Sequence, residues 1–313
     1  MRLRNYIWGV SLLLLALPTQ GQQIAQYTQY LFNHYQINPA VAGSKPCVDM
    51  KLGYRRQWVG FEGAPTSAFA NVTGRIKSKR PVINRGFHGV GAFVESDETG
   101  PTARTILYLS YAYHVPISPD VRFSAGLYAG IQQYRFDQNF VTVQDFADPA
   151  LMGSGSTVIA PDVGPGIWLY SDEFYAGLSV RQMLANRIKV FGDDSNLSAH
   201  YALTAGRRFS TSKYVSWIPS TLIKFAPSSV PAIDVNLMVD FYNQFSIGAS
   251  WRNTDAVAAY ARFNFLKYFT LGYSFDFTTS RIRFDSANTH EVMIGIYACP
   301  SSKGGPTLCP AYQ

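Results

Sequence analysis

Charge is scarce in this chain. Asp, Glu, Lys and Arg make up 15% of it, against about a quarter in an ordinary soluble protein. Long apolar runs are also missing. After Leu17 no stretch approaches the roughly 20 apolar residues that a membrane-spanning helix needs. Cysteine is limited to Cys47, Cys299 and Cys309, too few for a disulfide-dense scaffold. The five histidines, His34, His88, His114, His200 and His290, are scattered, and none pairs with another His or a Cys at metal-ligand spacing. Asp193-Asp194-Ser195-Asn196 lacks the Gly and the terminal Glu of an EF-hand loop. Gly153-Ser154-Gly155-Ser156 follows no strand of a βαβ unit and so is not a phosphate cradle. There is no Gly-x-Ser-x-Gly elbow. Lys and Arg form no block interleaved with aromatics, which argues against nucleic acid. These absences leave no predicted catalytic, metal or cofactor residue.

What is present is export chemistry and alternation. Arg2 and Arg4 precede a short apolar stretch from Ile7 to Leu17, and Thr19-Gln20-Gly21 supplies a cleavage site before Gln22. Residues 1–21 therefore read as a signal peptide, whose removal lowers the formal net charge of +7 by two. Aromatic residues are as common as charged ones, at 15%. Mean hydropathy is −0.03, so a membrane protein of this composition must segregate its apolar face by period-two alternation. Only helices and closed barrels satisfy their backbone in lipid, and the helix is already excluded.

The alternation is explicit. Phe269, Leu271, Tyr273, Phe275 and Phe277 share one face, opposite Thr270, Gly272, Ser274 and Asp276. Ile233, Val235, Leu237, Val239 and Phe241 likewise oppose Asp234, Asn236, Met238 and Asp240. Such runs place strands near 47–58, 66–76, 87–96, 104–115, 121–133, 163–171, 173–182, 199–208, 220–226, 232–241, 244–252, 256–265, 268–277 and 289–298. The predicted fold is an all-β transmembrane outer-membrane barrel of about 14 antiparallel strands. Its predicted parts are the signal peptide (1–21), a non-strand segment at the periplasmic side (22–46), the barrel (47–298) and a periplasmic tail (299–313). A soluble β-sandwich or propeller is the competing reading. Short turns such as 116–120 and 242–243 and long loops such as 134–162 and 183–198 set the expected orientation, with both termini periplasmic.

Asp49, Lys51, Arg55, Arg181, Asp234, Asp240, Arg252, Arg262, Asp276 and Glu291 all fall on the polar faces. A basic side chain at the lipid midplane costs roughly 2–4 kcal/mol, so these residues are expected to face a lumen and pair there. Tyr108, Tyr128 and Tyr260 are expected to point inward too, which disfavours a wide pore. Gln29 to Gly43 is rich in Tyr, Phe and Asn yet has neither clean alternation nor a long helical stripe. It is expected to pack at the periplasmic mouth or to plug it.

Gln29-Tyr30-Leu31-Phe32-Asn33 and Asn38-Pro39-Ala40-Val41-Ala42-Gly43 are similar to the opening of the PorP/SprF family, outer-membrane proteins of the type IX secretion system of Bacteroidetes. Further resemblances follow in order: Arg56-Gln57-Trp58, Gly63-Ala64-Pro65, Gly89-Val90-Gly91, Asp97-Glu98-Thr99-Gly100, Ser110-Tyr111-Ala112-Tyr113, Tyr175-Ala176-Gly177-Leu178-Ser179, Gly248-Ala249-Ser250-Trp251-Arg252, Gly272-Tyr273-Ser274-Phe275-Asp276 and His290-Glu291. His34 departs from the family, which often has Pro there. The resemblance implies a non-enzymatic role in export or surface attachment of cargo with C-terminal sorting domains. Its implied partners are the translocon, a periplasmic ring lipoprotein and ring protein, a peptidoglycan-linked protein, the cargo and outer-membrane lipid. Candidate partner-binding residues are Tyr30, Phe32, Asn33, Asn38, Pro39, Gly43, Arg56 and Trp58. The alternatives are a general porin and an outer-membrane lipid hydrolase. In a closed barrel the first and last strands are neighbours, so Cys47 and Cys299 could staple the seam. Cys299–Cys309, or three free thiols, are the other possibilities.

Overall fold

The computed structural model describes residues 24–76, 86–137, 157–186, 196–227, 229–253, 255–266, 268–280 and 288–298. The expected signal peptide (1–21) and tail (299–313), Cys299, Cys309, Gly153–Ser156 and Asp193–Ser195 lie outside them. Three 3-10 turns come first, Thr28–Phe32, His34–Gln36 and Pro39–Val41. The strands follow: β1 (Val48–Arg56), β2 (Thr66–Ile76), β3 (Phe87–Thr99), β4 (Thr102–Pro116), β5 (Arg122–Phe136), β6 (Val158–Tyr170), β7 (Phe174–Arg181), β8 (His200–Arg207), β9 (Phe209–Ser210), β10 (Val215–Phe225), β11 (Ala232–Phe241), β12 (Phe245–Arg252), β13 (Ala256–Phe265), β14 (Phe269–Thr278) and β15 (Thr289–Ala298). All pairings are antiparallel. β1 pairs with β15 from Val48↔Ala298 to Arg56↔His290, and β10 pairs with β11, so the sheet closes into a barrel. β9 continues the β8 side of the ladder past Arg208, its Phe209 and Ser210 pairing with Trp217 and Ser216. The barrel therefore has fourteen staves. A closed single sheet replaces the sandwich and propeller alternatives.

The molecule is inside-out relative to a soluble protein. On β11, Asp234 is 0% exposed while its neighbour Val235 is 48% exposed. Every ionisable residue expected in the lumen is buried, as are Tyr108, Tyr128 and Tyr260. Leu107, Leu109, Tyr111, Trp251, Phe263 and Leu271 stand exposed on the outer surface, as a lipid-facing belt requires.

Several strands differ from their expected extents, and proline accounts for two of them. β6 starts at Val158 rather than 163 and carries Pro161 and Pro165. Its pairing with β7 covers only Gly166 to Tyr170, so neither proline leaves a β7 carbonyl without its donor. β10 starts at Val215 rather than 220 and carries Pro219. Pro219 falls between the stretch paired with β9 (Ser216, Trp217) and that paired with β8 (Ser220 onward), where the ladder is interrupted. β3 and β4 run on to Thr99 and from Thr102, joined through Gly100 with φ +53°, where a loop was expected.

The connections 117–121, 171–173, 242–244 and 266–268 gather at one end, here the turn end. The strand ends that flank the longer connections, Phe136 and Val158, Arg181 and His200, Thr278 and Thr289, gather at the other, the loop end. Cys47, just before β1 at the turn end, is disulfide-bonded.

Candidate functional site

Of the two placements open to the N-terminal segment, the structure shows the interior. Residues 27–36 and 38–45 are buried, and the segment runs along the lumen from Thr28, near the loop end, to Lys45 at the turn end. The physical reason is burial of its aromatic rings in a protein whose outer surface already serves lipid. Asn38 starts the third turn by capping it, its Oδ1 accepting from the Ala40 N–H at 2.9 Å, with Pro39 in the first helical position.

One side of the lumen holds this segment by its backbone. Ser124 Oγ donates to the Ala40 carbonyl at 2.7 Å, Ser179 Oγ to the Ile37 carbonyl at 2.8 Å, and His114 Nε2 lies 2.8 Å from the Ala42 carbonyl. The Tyr128 hydroxyl donates to the Tyr35 carbonyl and Arg181 Nη2 to the Gln36 carbonyl. Asn38 Nδ2 returns the contact, donating to the carbonyls of Ile167 at 2.8 Å and Leu178 at 3.3 Å across β6 and β7. Absent side chains make this approach possible. A Cβ on Gly89 would meet the Ala42 carbonyl oxygen at 1.8 Å, and one on Gly126 would meet the Ala40 Cα at 2.7 Å. Gly43 itself has φ +75°, a backbone that favours glycine.

The opposite side is a charge lattice. Arg55 Nη2 binds Asp276 at 2.9 Å and its Nη1 binds Glu291 at 3.0 Å. Arg252 Nε binds Asp234 at 2.6 Å, and Arg262 Nη2 reaches Asp240 at 3.3 Å. The luminal segment joins through its first turn. The Thr28 and Gln29 N–H groups donate to the Glu291 carboxylate at 2.8 and 3.1 Å, and the Thr28 hydroxyl donates to Asp276 at 2.6 Å. At the turn end, Lys45 and Lys51 both bind Asp49, at 2.7 and 2.5 Å.

The candidate partner-binding residues separate into two groups. Tyr30, Phe32, Asn33, Asn38, Pro39 and Gly43 are all buried in the lumen. Tyr30 Oη accepts from Asn236 Nδ2 at 2.5 Å. The Phe32 ring meets Tyr260 edge-on at 5.8 Å and lies 4.8 Å from the Arg262 guanidinium. Asn33 Oδ1 accepts from Asn71 Nδ2 at 3.1 Å. Arg56 and Trp58 stand apart at the loop end, Arg56 exposed and the Trp58 N–H donating to Thr289 Oγ1 at 3.1 Å. Sequence reasoning missed the seat on the wall: Gly89, His114, Ser124, Gly126, Ser179 and, as a contact to this segment, Arg181. Small residues at inward positions of β3 and β5 were the available signal.

Burial lowers the His34 imidazole to about 3, so this ring, packed against Trp168 and Tyr175, is neutral at ordinary pH. The His114 Nδ1 contacts the Tyr170 hydroxyl at 2.9 Å, His88 meets Tyr111, His290 meets Tyr273 and His200 Nδ1 meets the Ser198 carbonyl. In none of these contacts does a histidine meet a serine hydroxyl. Among the described residues, no group of three or more His, Cys, Asp or Glu is placed to hold a metal ion.

Solved structures of similar fold are outer-membrane barrels. The toluene transporter TbuX of Ralstonia pickettii is 9% identical, with 86% of this chain and 93% of that chain covered at a TM-score of 0.51. The CymD monoaromatic hydrocarbon channel is 11% identical, with 90% and 95% covered at 0.51. The Pseudomonas putida toluene transporter TodX is 10% identical, with 88% and 93% covered at 0.50. At such identities the likeness is one of fold alone. No curated protein matches the chain. The sequence model of one family matches residues 19–296, almost from the N-terminal segment to the last stave, and by that match the chain belongs to the PorP/SprF family of type IX secretion system membrane proteins.

Proposed function

We propose that this chain is a non-catalytic outer-membrane subunit of the type IX secretion system. It supports export or surface attachment of cargo with C-terminal sorting domains by docking the translocon to periplasmic ring partners. The family match over residues 19–296 carries this reading. The filled lumen supports it over a general porin, which needs an open water path. The histidines' engagements support it over a lipid hydrolase, which needs a base on its nucleophile. In this reading the signal peptide is removed before Gln22. The turn end and both termini face the periplasm, where the ring lipoprotein, ring protein and peptidoglycan-linked partner are reached. Lipid surrounds the belt. An oxidising periplasm suits the bond at Cys47, and the β1–β15 register favours Cys299 as its partner over Cys309. Non-reducing peptide mapping distinguishes the two.

The test is a deletion strain, with cargo measured in culture supernatant and in cells. Cargo is expected to stay inside while general outer-membrane assembly proceeds. Tyr30→Ala, Phe32→Ala and Asn38→Ala are expected to reduce export in a barrel that still shifts on heating in a gel. Normal cargo release from the deletion strain, with no paralogue compensating, overturns the proposal.

A further inference from the structure

The luminal segment does not fill the barrel evenly. Trp168, Tyr108, Tyr128, Tyr175 and Phe93 crowd much of the interior. Toward the loop end, between β7, β8, β10 and β11, the inward positions instead carry Ser179, Ala202 and Ala232, and the connection between β10 and β11 adds Ala226 and Ser229. These small side chains leave a cavity of about 300 Å³ above Tyr30 and Ile37 of the luminal segment. Its apolar body includes Ala202, Leu222, Val230 and Ala232.

Arg181 lines this cavity and differs from the other buried cations among the described residues. Among the described residues, seven Lys and Arg are buried: Lys45, Lys51, Arg55, Arg104, Arg181, Arg252 and Arg262. Six of them hold a carboxylate in an ion pair. Arg181, 9% exposed, holds none among the described residues, and its Nε has no hydrogen-bond partner. Its contacts are the Gln36 carbonyl and the faces of Phe93 and Tyr128, 5.3 and 5.7 Å away. A guanidinium taken out of water without an anion is strongly disfavoured, and a carboxylate is its best geometric match. Lys224 lines the same cavity, and its Nζ approaches Asp234 no closer than 3.6 Å. Glu95, also at the cavity, is already bound by Arg104 at 2.9 Å.

We propose that this cavity binds a small amphiphile with an apolar chain and a single carboxylate. The chain lies against Leu222, Val230 and Ala232, and the carboxylate is held by Arg181 with Lys224 in support. The site is separate from the secretion role and stands or falls without it.

The test uses the mature chain in lipid nanodiscs, titrated calorimetrically with dodecanoate and with dodecanol, and with empty nanodiscs as reference. Saturable dodecanoate binding above the empty discs is expected. Dodecanol and the Arg181→Gln variant are each expected to bind at least about tenfold more weakly, the usual scale of a charge-assisted contact. Lys224→Gln is expected to show a smaller loss. Arg181→Gln also removes a contact to Gln36, so Ala232→Phe provides the independent arm. It fills the cavity without touching the charge and is expected to abolish binding while the heat shift of the folded barrel is retained. No binding above empty discs, dodecanol binding as tightly as dodecanoate, or wild-type affinity in both Arg181→Gln and Ala232→Phe overturns the proposal.

Discussion

The two sides of the lumen hold the same segment by different physics. The β3–β7 side grips main-chain carbonyls through Ser124, Ser179, Tyr128 and Arg181, beside glycines that permit close approach. The β11–β15 side, with β1, holds mainly itself, through Arg55, Asp276, Glu291, Arg252 and Asp234, and meets the segment chiefly at Thr28, Gln29 and Tyr30. The difference teaches where sensitivity should lie. A backbone grip is spread over several modest bonds and tolerates the loss of one. A charge lattice concentrates its risk, because removing one member leaves its partners buried and unpaired.

The largest expected effect removes what the two sides share. Deleting residues 24–43 should convert a barrel with little steady conductance in planar bilayers into one with large, stable steps. A deletion barrel that inserts and stays silent would mean that something other than this segment closes the lumen. Next comes the lattice. Arg55→Met leaves Asp276 and Glu291 without their shared cation and should cost about 3–5 kcal/mol, read as a lowered urea midpoint for the folded barrel in liposomes. Third is His34, on the segment rather than on a stave. Its imidazole titrates at about 3 in place and 6.5 when free. Protonation therefore favours release, and the contribution is complete above the free value and lost as pH falls toward 3. At pH 5 the loss is about 2 kcal/mol. His34→Phe should flatten the difference in stability between pH 7 and pH 5, and an unchanged pH profile would show the ring to be solvated. The smallest effect belongs to the backbone grip. Ser124→Ala removes one bond to the Ala40 carbonyl and should cost about 1 kcal/mol. If it costs as much as Arg55→Met in the same urea titration, the contrast between the two sides fails.

The staves were legible in the sequence because lipid and lumen impose opposite solvents on alternate residues, and Val235 beside Asp234 records that directly. The misjudged stretches of β6 and β10 contain Pro161 and Pro219, whose tolerance depends on which neighbour is absent, a fact of pairing rather than of local pattern. The inward charges were legible as a set, but their partners were not, since Arg55 and Glu291 stand 236 positions apart. The course of the luminal segment was hidden for another reason. Its contacts run through main-chain carbonyls and missing Cβ atoms, which leave little trace in side-chain periodicity. The cavity beside Arg181 was invisible as well, because it is made of what Ala202 and Ala232 leave out.

The seam carries a consequence for biogenesis. The Thr28 and Gln29 N–H groups receive their partner, Glu291, from the last stave, across separations of 263 and 262 residues. Synthesis delivers the guest first and its final clasp last. A chain that stops short of β15 would lose the closing pairs of β1, expose two sheet edges and leave the first turn of the guest without the Glu291 carboxylate, all at once. Completion of translation is thereby tested by a single stave, and a truncated product would present quality-control proteases with unpaired edges and a loosened terminus rather than with a slightly smaller barrel.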